Sequence, residues 1–318
     1  ALRFAVYLDP WIKRNKKGRL RVELFCLIRL ALIDILVRQV RQETVLKKYS
    51  DLAFSFDRTK HGKDQLRFFI NLGFSELKKK CLKPMFVFEN KLREALIRQH
   101  GLEKVKRIEK IFSDPPYMDL NIKQSVSKEN YFEQLKGSSV DESHFRLSQN
   151  VSLMQMKGYH SGDWWVQSLS ASLPVKLAPM DFKGRTVLDV CCAPGGKSFQ
   201  LADQGAILTS IDKSGNRLSL MKNNLDRLKY DLDLIRTDVF DYQPTKVFDI
   251  ILIDPPCTAT GTIGKNPDLQ FLSPLDKLQE LLDIQQKMLE RCSRWVKDNG
   301  FIIYSVCSLL KEEGEEQI

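Results

Sequence analysis

From Gly184 onward, short apolar runs alternate with amphipathic stretches of helical length, and that alternation leaves few ways to fold. Thr186–Cys192, Ile207–Ile211, Leu232–Arg236, Phe248–Ile253 and Phe301–Val306 read as strands. Lys197–Gln204, Asn216–Lys229 and Pro274–Lys297 read as helices. Strands separated by helices imply a parallel, doubly wound α/β sheet. In such a sheet the ligand crevice lies just past the carboxyl ends of the strands, so the chemistry is expected at a few positions. The chain stops soon after its fifth strand and has no initiator Met, so both ends are expected to be missing and one sheet edge to lie open.

The first third is of another kind. Arg21–Val40, Lys47–Phe56, Leu66–Leu82, Glu89–His100 and Glu103–Phe112 carry apolar residues at three- and four-residue spacing and read as helices. Pro84 interrupts the pattern, and Gly101 is placed to cap a helix. Residues 1–110 hold 27 Lys+Arg against 12 Asp+Glu, whereas 111–318 hold 23 against 28, within an overall charge of +10. A basic helical lobe beside a slightly acidic one points to a polyanion-binding module joined to a different function. Residues 113–180 are mixed, with a strand expected at Asp119–Lys123 and a helix at Lys128–Leu135. Trp164 and Trp165 are expected as core anchors rather than a base-stacking platform.

Three strand ends carry the chemistry. Asp189-Val190-Cys191-Cys192-Ala193-Pro194-Gly195-Gly196-Lys197 ends a strand in a tight turn and opens a helix. It is no phosphate-binding P-loop, because that motif needs Gly where Cys191 stands, and it is no G-x-G-x-x-G. Its glycines allow close approach of a ligand, and its helix start favours a carboxylate or phosphate. Asp212 ends the second strand, at the interval where nucleotide folds place a ribose ligand, and Asp238 ends the third, where it can meet the adenine edge. Acidic strand ends without a P-loop favour S-adenosylmethionine over ATP.

Asp254-Pro255-Pro256-Cys257 ends the fourth strand and Cys307 follows the fifth. The Asp254 box is similar to the D-P-P-aromatic box of amino-group methyltransferases, but a Cys stands where a base would stack. Methylating an exocyclic amine needs no covalent step. Methylating C5 of a pyrimidine does, because that carbon is poorly nucleophilic until a thiolate adds at C6. Two thiols at the crevice therefore point to C5 chemistry.

These residues resemble the RsmB/Fmu-type family of RNA cytosine-5 methyltransferases. The family's cofactor motif resembles Asp189–Lys197, its D-[AP]-P-C-[ST]-x-x-G box resembles Asp254–Gly261 with a P-D element at Pro267-Asp268, and its T-C-S box resembles Val306-Cys307-Ser308, followed by Glu312-Glu313-Gly314-Glu315. Residues 115–135 resemble the family's inter-domain segment, and residues 1–82, more weakly, its NusB-like helical domain. The resemblance implies a basic NusB-like RNA-binding domain at 1–112, incomplete at its start. It implies an inter-domain α+β segment at 113–180 and, at 181–318, a Rossmann-like S-adenosylmethionine-dependent methyltransferase domain without its last strands. It implies that Cys307 adds to cytosine C6, that Cys257 assists breakdown of the adduct, and that Asp254 holds the N3/N4 edge. Lys197 would lie near the reacting groups and lower a thiol pKa. Cys191, Cys192, Ala193, Pro194, Gly195, Gly196, Lys197, Asp212, Asp238 and Asp254 would bind the methyl donor. The target would be RNA, above all small-subunit 16S ribosomal RNA, with its base flipped from the stack.

The chain departs from the family pattern at Asp119, in place of Arg, at Ser168, in place of Asp, at Val306, in place of Thr, and at Gly264-Lys265-Asn266, in place of a basic pair. Two competing readings are an amine N-methyltransferase and a non-catalytic RNA-binding ribosome assembly factor. No apolar run reaches the roughly 18 residues of a membrane span. Seven Cys without C-x-x-C pairs and four scattered His argue against a zinc site or a disulfide framework. A cytoplasmic monomer without metal is expected. Cys26, Cys81 and Cys292 are expected as buried core thiols.

Overall fold

The computed structural model describes residues 4–16, 19–56, 60–77, 85–127, 135, 137–148 and 151–318. These divide into two compact units, one of residues 1–115 with 263–272 and the other of 116–262 with 273–318.

The first unit is helical. α1 (Ala5–Asn15), α2 (Val22–Leu36), α3 (Gln42–Phe56) and α4 (Lys60–Leu77) surround a core that includes Leu8, Ile12, Ile28, Leu32, Leu66 and Ile70. The apolar spacing finds α2 to α4 but not their bounds: α2 ends before the expected Val40, and α3 and α4 begin before the expected Lys47 and Leu66. It misses α1, which carries Pro10 in its interior, normally a helix-breaking residue. Inside this core Asp34 is almost wholly buried. It accepts hydrogen bonds from Lys48 Nζ at 2.9 Å, Tyr49 OH at 2.8 Å and Arg38 Nη1 at 2.8 Å. Burial pushes its pKa up, but these partners outweigh burial and hold it below the usual carboxylate value. α2 and α3 are thus joined by a polar clasp as well as by apolar contact. Cys26 is exposed on α2 and not a core thiol, because it falls on the outer face of the helix between Leu24 and Leu27. Cys292 is buried as expected.

α5 (Asn90–His100) is capped by the Glu89 side chain, and Gly101, at φ +79°, separates it from α6 (Leu102–Ser113). Segment 263–272 packs here. Gln270 Oε1 accepts from Glu89 N at 2.8 Å, and Gly264 lies so close to Phe112 that a Cβ would sit 2.8 Å from the ring. A side chain at 264 would have to displace the ring. Cys81, Pro84, the end of the expected Leu66–Leu82 helix and all but the last residue of Lys128–Leu135 lie outside the described residues.

The second unit holds two sheets. β1 (Met118–Ile122), β2 (Gly137–Ser139), β3 (His144–Leu147) and β4 (Trp164–Val166) form an antiparallel sheet in the order β2-β3-β1-β4. Trp164 and Trp165 are buried in separate clusters, as core anchors. The register sets Asp119 opposite Arg146, and the two pair at 2.7 and 3.0 Å. Asp119 also accepts from Leu169 N, the first residue of α7 (Leu169–Lys176). Its place in the chain is therefore that of a buried structural ion pair.

The larger sheet is parallel, as the alternating pattern requires. β5 (Thr186–Val190), β6 (Ile207–Asp212), β7 (Asp233–Arg236), β8 (Phe248–Ile253) and β9 (Val296–Tyr304) run in the order β7-β6-β5-β8-β9. α8 (Gly196–Asp203), α9 (Gly215–Leu228) and α10 (Leu278–Ser293) connect the strands. Leu188, Val190, Ile251 and Ile253 face α10, while Val187, Ile250 and Leu252 face the cluster of α7 and α8. Burial on both faces is why these strands read as continuous apolar runs. The expected Pro274–Lys297 helix is shorter at both ends. Ser273 at φ +49° and a 3-10 turn at Pro274–Lys277 precede it, and the chain re-enters the sheet at Val296. The pairing jumps from Phe248↔Val296 to Ile250↔Phe301, so Lys297–Gly300 bulge out of register.

The order β7-β6-β5-β8-β9 reverses between β5 and β8, which head opposite halves of the sheet. Open α/β sheets bind ligands at such a reversal, outside the carboxyl ends of the strands.

Candidate active site

The loops leaving β5, β6, β8 and β9 bring most of the expected residues together. After β5, Cys191 takes φ +62° and Gly195 φ +106°, and the Ala193–Pro194 peptide is cis. A Cβ on Gly195 would lie 2.4 Å from the Phe199 ring and 2.9 Å from Met221 Cγ. Only glycine satisfies both the backbone conformation and the packing, so the turn sits tightly on α8 and α9. Cys192 and Ala193 are buried behind it, while Cys191 is half-buried and Pro194 exposed. Burial pushes the Cys191 thiol up to about 12 and the Cys192 thiol higher still, so neither is a thiolate at neutral pH.

Asp212 is nearly buried and fastens this turn. Its Oδ2 accepts from Ala193 N at 3.1 Å, its Oδ1 from Ser214 N at 2.8 Å, and Arg217 lies 3.5 Å away. Sequence reading assigned it only to a ligand; the anchoring role comes from the turn folding back across β6. Asp238 lies two residues past β7, half-buried, where it caps Phe240 N at 3.1 Å and sits 3.6 Å from Lys213. Asp189 in β5 accepts from Ser198 Oγ at 2.5 Å, while its Oδ1 is buried without a partner. Burial pushes its pKa up to about 7.

These groups fit the methyl donor. Carboxylates at successive strand ends suit ribose hydroxyls, and the first turn of α8 leaves N–H groups free for a carboxylate. Asp212, Asp238 and the Cys191–Lys197 turn are the residues that would hold it.

Across the strand-order reversal, Asp254 follows β8 and its backbone N–H reaches Val190 O at 3.2 Å. Lys197, in the first turn of α8, pairs with Asp254 Oδ2 at 2.6 Å. Beyond it, Cys257 Sγ and Cys307 Sγ lie 3.3 Å apart. Cys307 is exposed and Cys257 half-buried. A hydrogen bond from Cys257 lowers the Cys307 pKa most; burial and Asp254 oppose this, and Lys197 assists. Donating that bond, together with burial, raises the Cys257 pKa. The directions of these shifts make Cys307 the more readily ionised sulfur of the two and leave Cys257 the one that keeps its proton longer.

The motifs include Thr258, Gly261, Ser308 and Glu313 but assign them no role in holding this pair, and Gln285 lies outside them. Gly261 N donates to Cys307 O at 2.9 Å, and a Cβ on Gly261 would meet that oxygen at 2.9 Å. Thr258 N donates to the buried Glu313 at 2.9 Å, the Thr258 hydroxyl also donates to it, and Gln285 Nε2 reaches both Glu313 (3.0 Å) and Pro256 O (2.9 Å). Glu313 stood in the sequence as one of four acidic positions near the terminus; only its lack of exposure distinguishes it.

A doubly wound sheet, a glycine-turn donor cradle and acidic strand ends define a Rossmann-like, S-adenosylmethionine-dependent methyltransferase domain. Residues 175–318 match the family described as 16S rRNA methyltransferase RsmB/F. A ribosomal RNA small subunit methyltransferase B of Shewanella oneidensis is 36% identical over 137 residues, 42% of this chain and 32% of the relative. The chain spans about a third to a half of the length of such curated relatives. Among solved structures, PH0851 shares the fold over 99% of this chain and 77% of its own, with a TM-score of 0.82 at 22% identity. A methyltransferase homolog protein from Pyrococcus horikoshii is 26% identical, with a TM-score of 0.60 over 72% of this chain and 77% of its own. None of the helices among the described residues is long and apolar enough to cross a membrane.

Proposed function

We propose that this chain methylates C5 of cytosine in RNA, with small-subunit ribosomal RNA as the substrate class its relatives' names indicate. The observation that supports this reading is the pair of thiols 3.3 Å apart at the ends of neighbouring strands, beside the Lys197–Asp254 pair. An amine methyltransferase has no use for either sulfur.

S-adenosylmethionine supplies an electrophilic methyl group to the site. Cys307, the more readily ionised sulfur of the pair, loses its proton, adds as thiolate to cytosine C6 and forms a carbon–sulfur bond. Asp254 holds the N3/N4 edge and favours protonation at N3, so the electrons of the C5–C6 double bond become available at C5. After methyl transfer to C5, a base takes the C5 proton, the C5–C6 double bond re-forms as the carbon–sulfur bond breaks, Cys307 leaves as thiolate and N3 gives up its proton; Cys257 beside it assists this breakdown of the adduct. Lys197 holds Asp254 in place and adds positive potential near Cys307. The Arg- and Lys-rich helical unit offers the electrostatic attraction that RNA binding requires.

The test is methyl transfer from labelled S-adenosylmethionine to naked ribosomal RNA, with the methylated base identified and Cys307→Ala run alongside. Label on cytosine C5 that disappears in Cys307→Ala is expected; label on a nitrogen, or full activity of the variant, refutes the reading. Cys257→Ala is expected to accumulate a denaturation-resistant protein–RNA adduct, visible as a slower band on a denaturing gel.

A further inference from the structure

We infer that Glu313 is a positioning residue, a buried carboxylate that ties the Cys257 loop to the Cys307 loop and thereby sets the spacing of the two thiols. This rests on the reading of those cysteines given above.

The two thiols leave different strands. β8 and β9 are paired, and Ser305 N reaches Ile253 O at 2.9 Å, but the loops beyond need a tie of their own. Glu313 supplies it from a 3-10 turn at Lys311–Glu313, past Cys307 in the chain. Its side chain crosses to the other loop and takes both the N–H and the hydroxyl of Thr258, the residue after Cys257. The Thr258 hydroxyl lies 3.1 Å from the hydroxyl of Ser308, the residue after Cys307. Ser308 in turn lies 3.1 Å from Thr260 Oγ1, which accepts from Leu309 N at 2.8 Å. Each thiol is thus flanked by a hydroxyl residue, and the two hydroxyls meet. Gln285 on α10 closes the set by donating to Glu313 and to Pro256 O, and Tyr304 OH donates to Glu313 O at 3.0 Å.

The energetics argue that this arrangement is more than filler. Glu313 is fully buried, and none of the ion pairs among the described residues includes it. A buried carboxylate without a cation is costly unless its oxygens are fully hydrogen-bonded. Here three donors from two elements converge on it, which is the pattern of a supporting shell that locks a reactive pair in place. An apolar residue would fill the space at lower cost but would hold neither Thr258 nor its link to Ser308.

The test compares Glu313→Ala, Glu313→Gln and Thr258→Val in the full chain. Gln keeps an acceptor for Thr258 N and Gln285, and its amide can donate to Thr258 Oγ1, so it preserves the tie; Ala removes it. The readout is the rate of Cys307 alkylation by iodoacetamide as a function of pH, with the labelled peptide identified by mass spectrometry. Loss of the tie separates the thiols and removes the bond from Cys257, so Glu313→Ala is expected to slow Cys307 alkylation at neutral pH about tenfold. The limb of its pH profile moves to higher pH, and Glu313→Gln is expected to restore the wild-type profile. Methyl transfer is expected to lose kcat, with KM for S-adenosylmethionine unchanged. A wild-type alkylation profile in Glu313→Ala overturns the inference. Should that variant fail to fold, Thr258→Val, which keeps the backbone N–H, carries the same test: slower alkylation supports the tie and an unchanged profile overturns it. Alkylation needs neither RNA nor methyl donor, so absence of methyl transfer in the wild type would sink the proposed function and leave this result standing.

Discussion

The two sides of the crevice are built by different means. The donor side is a backbone structure: Gly195 at φ +106°, a helix start, and an Asp212 carboxylate that caps main-chain N–H groups. The thiol side is a side-chain structure, in which Thr258, Thr260, Ser308, Gln285 and Glu313 hold two loops from neighbouring strands in register. Backbone structures demand particular residues at fixed spacing. Side-chain networks draw on residues scattered along the chain that meet only after folding.

If this contrast holds, damage to one side should leave the other intact. The largest effect is expected from Gly195→Ala, which forces a Cβ into Phe199 and Met221 at a positive φ. It should cost about 3 kcal/mol of stability by thermal denaturation and remove measurable S-adenosylhomocysteine binding by calorimetry. Gly261→Ala is next. Its Cβ would press on the Cys307 carbonyl, so transfer should fall by about a hundredfold through misplacement of the proposed nucleophile, with donor affinity kept. Equal loss of donor affinity in both variants would break the comparison.

Two smaller effects sharpen it. Cys257→Ala removes the hydrogen bond that most lowers the Cys307 pKa. The rising limb of Cys307 alkylation against pH should therefore move toward higher pH; a limb that stays in place would show that Lys197 alone tunes the thiol. Asp189 has its folded pKa raised to about 7 by burial. The native state therefore holds its proton more tightly than the unfolded chain does. Its contribution to stability is full below about pH 4 and is lost as pH rises through about 7. Relative to Asp189→Asn, the wild type should lose melting temperature between pH 5 and 7.5, and parallel curves would refute the assignment.

Legibility followed the same division. The strands and helices from Thr186 to Tyr304 were readable because burial on both faces writes continuous apolar runs between amphipathic ones. The donor turn was readable because its glycines have geometric work to do. α1 was not, because Pro10 stands inside the helix and residues 1–20 were given no element of their own. The early end of α10 was missed because Arg294–Gly300 has no residue that forbids helix; the pairing of Val296 with Phe248 decides it. Cys26 was misread because neighbouring apolar residues cannot tell which face of a helix a thiol occupies. Glu313 was unreadable as a partner of Thr258, because the two lie 55 positions apart and nothing local links them.

The thiols at 3.3 Å have a practical consequence for anyone handling the protein. A covalent sulfur–sulfur bond is about 2.05 Å long, so closing it asks for roughly an ångström of travel. A hydroperoxide, as two-electron oxidant, takes the two thiol hydrogens and leaves a disulfide, one alcohol and one water. Preparations kept without reductant are therefore expected to fade in Cys307 reactivity and to regain it on treatment with dithiothreitol, so freshness of the sample becomes a variable to control in every assay above.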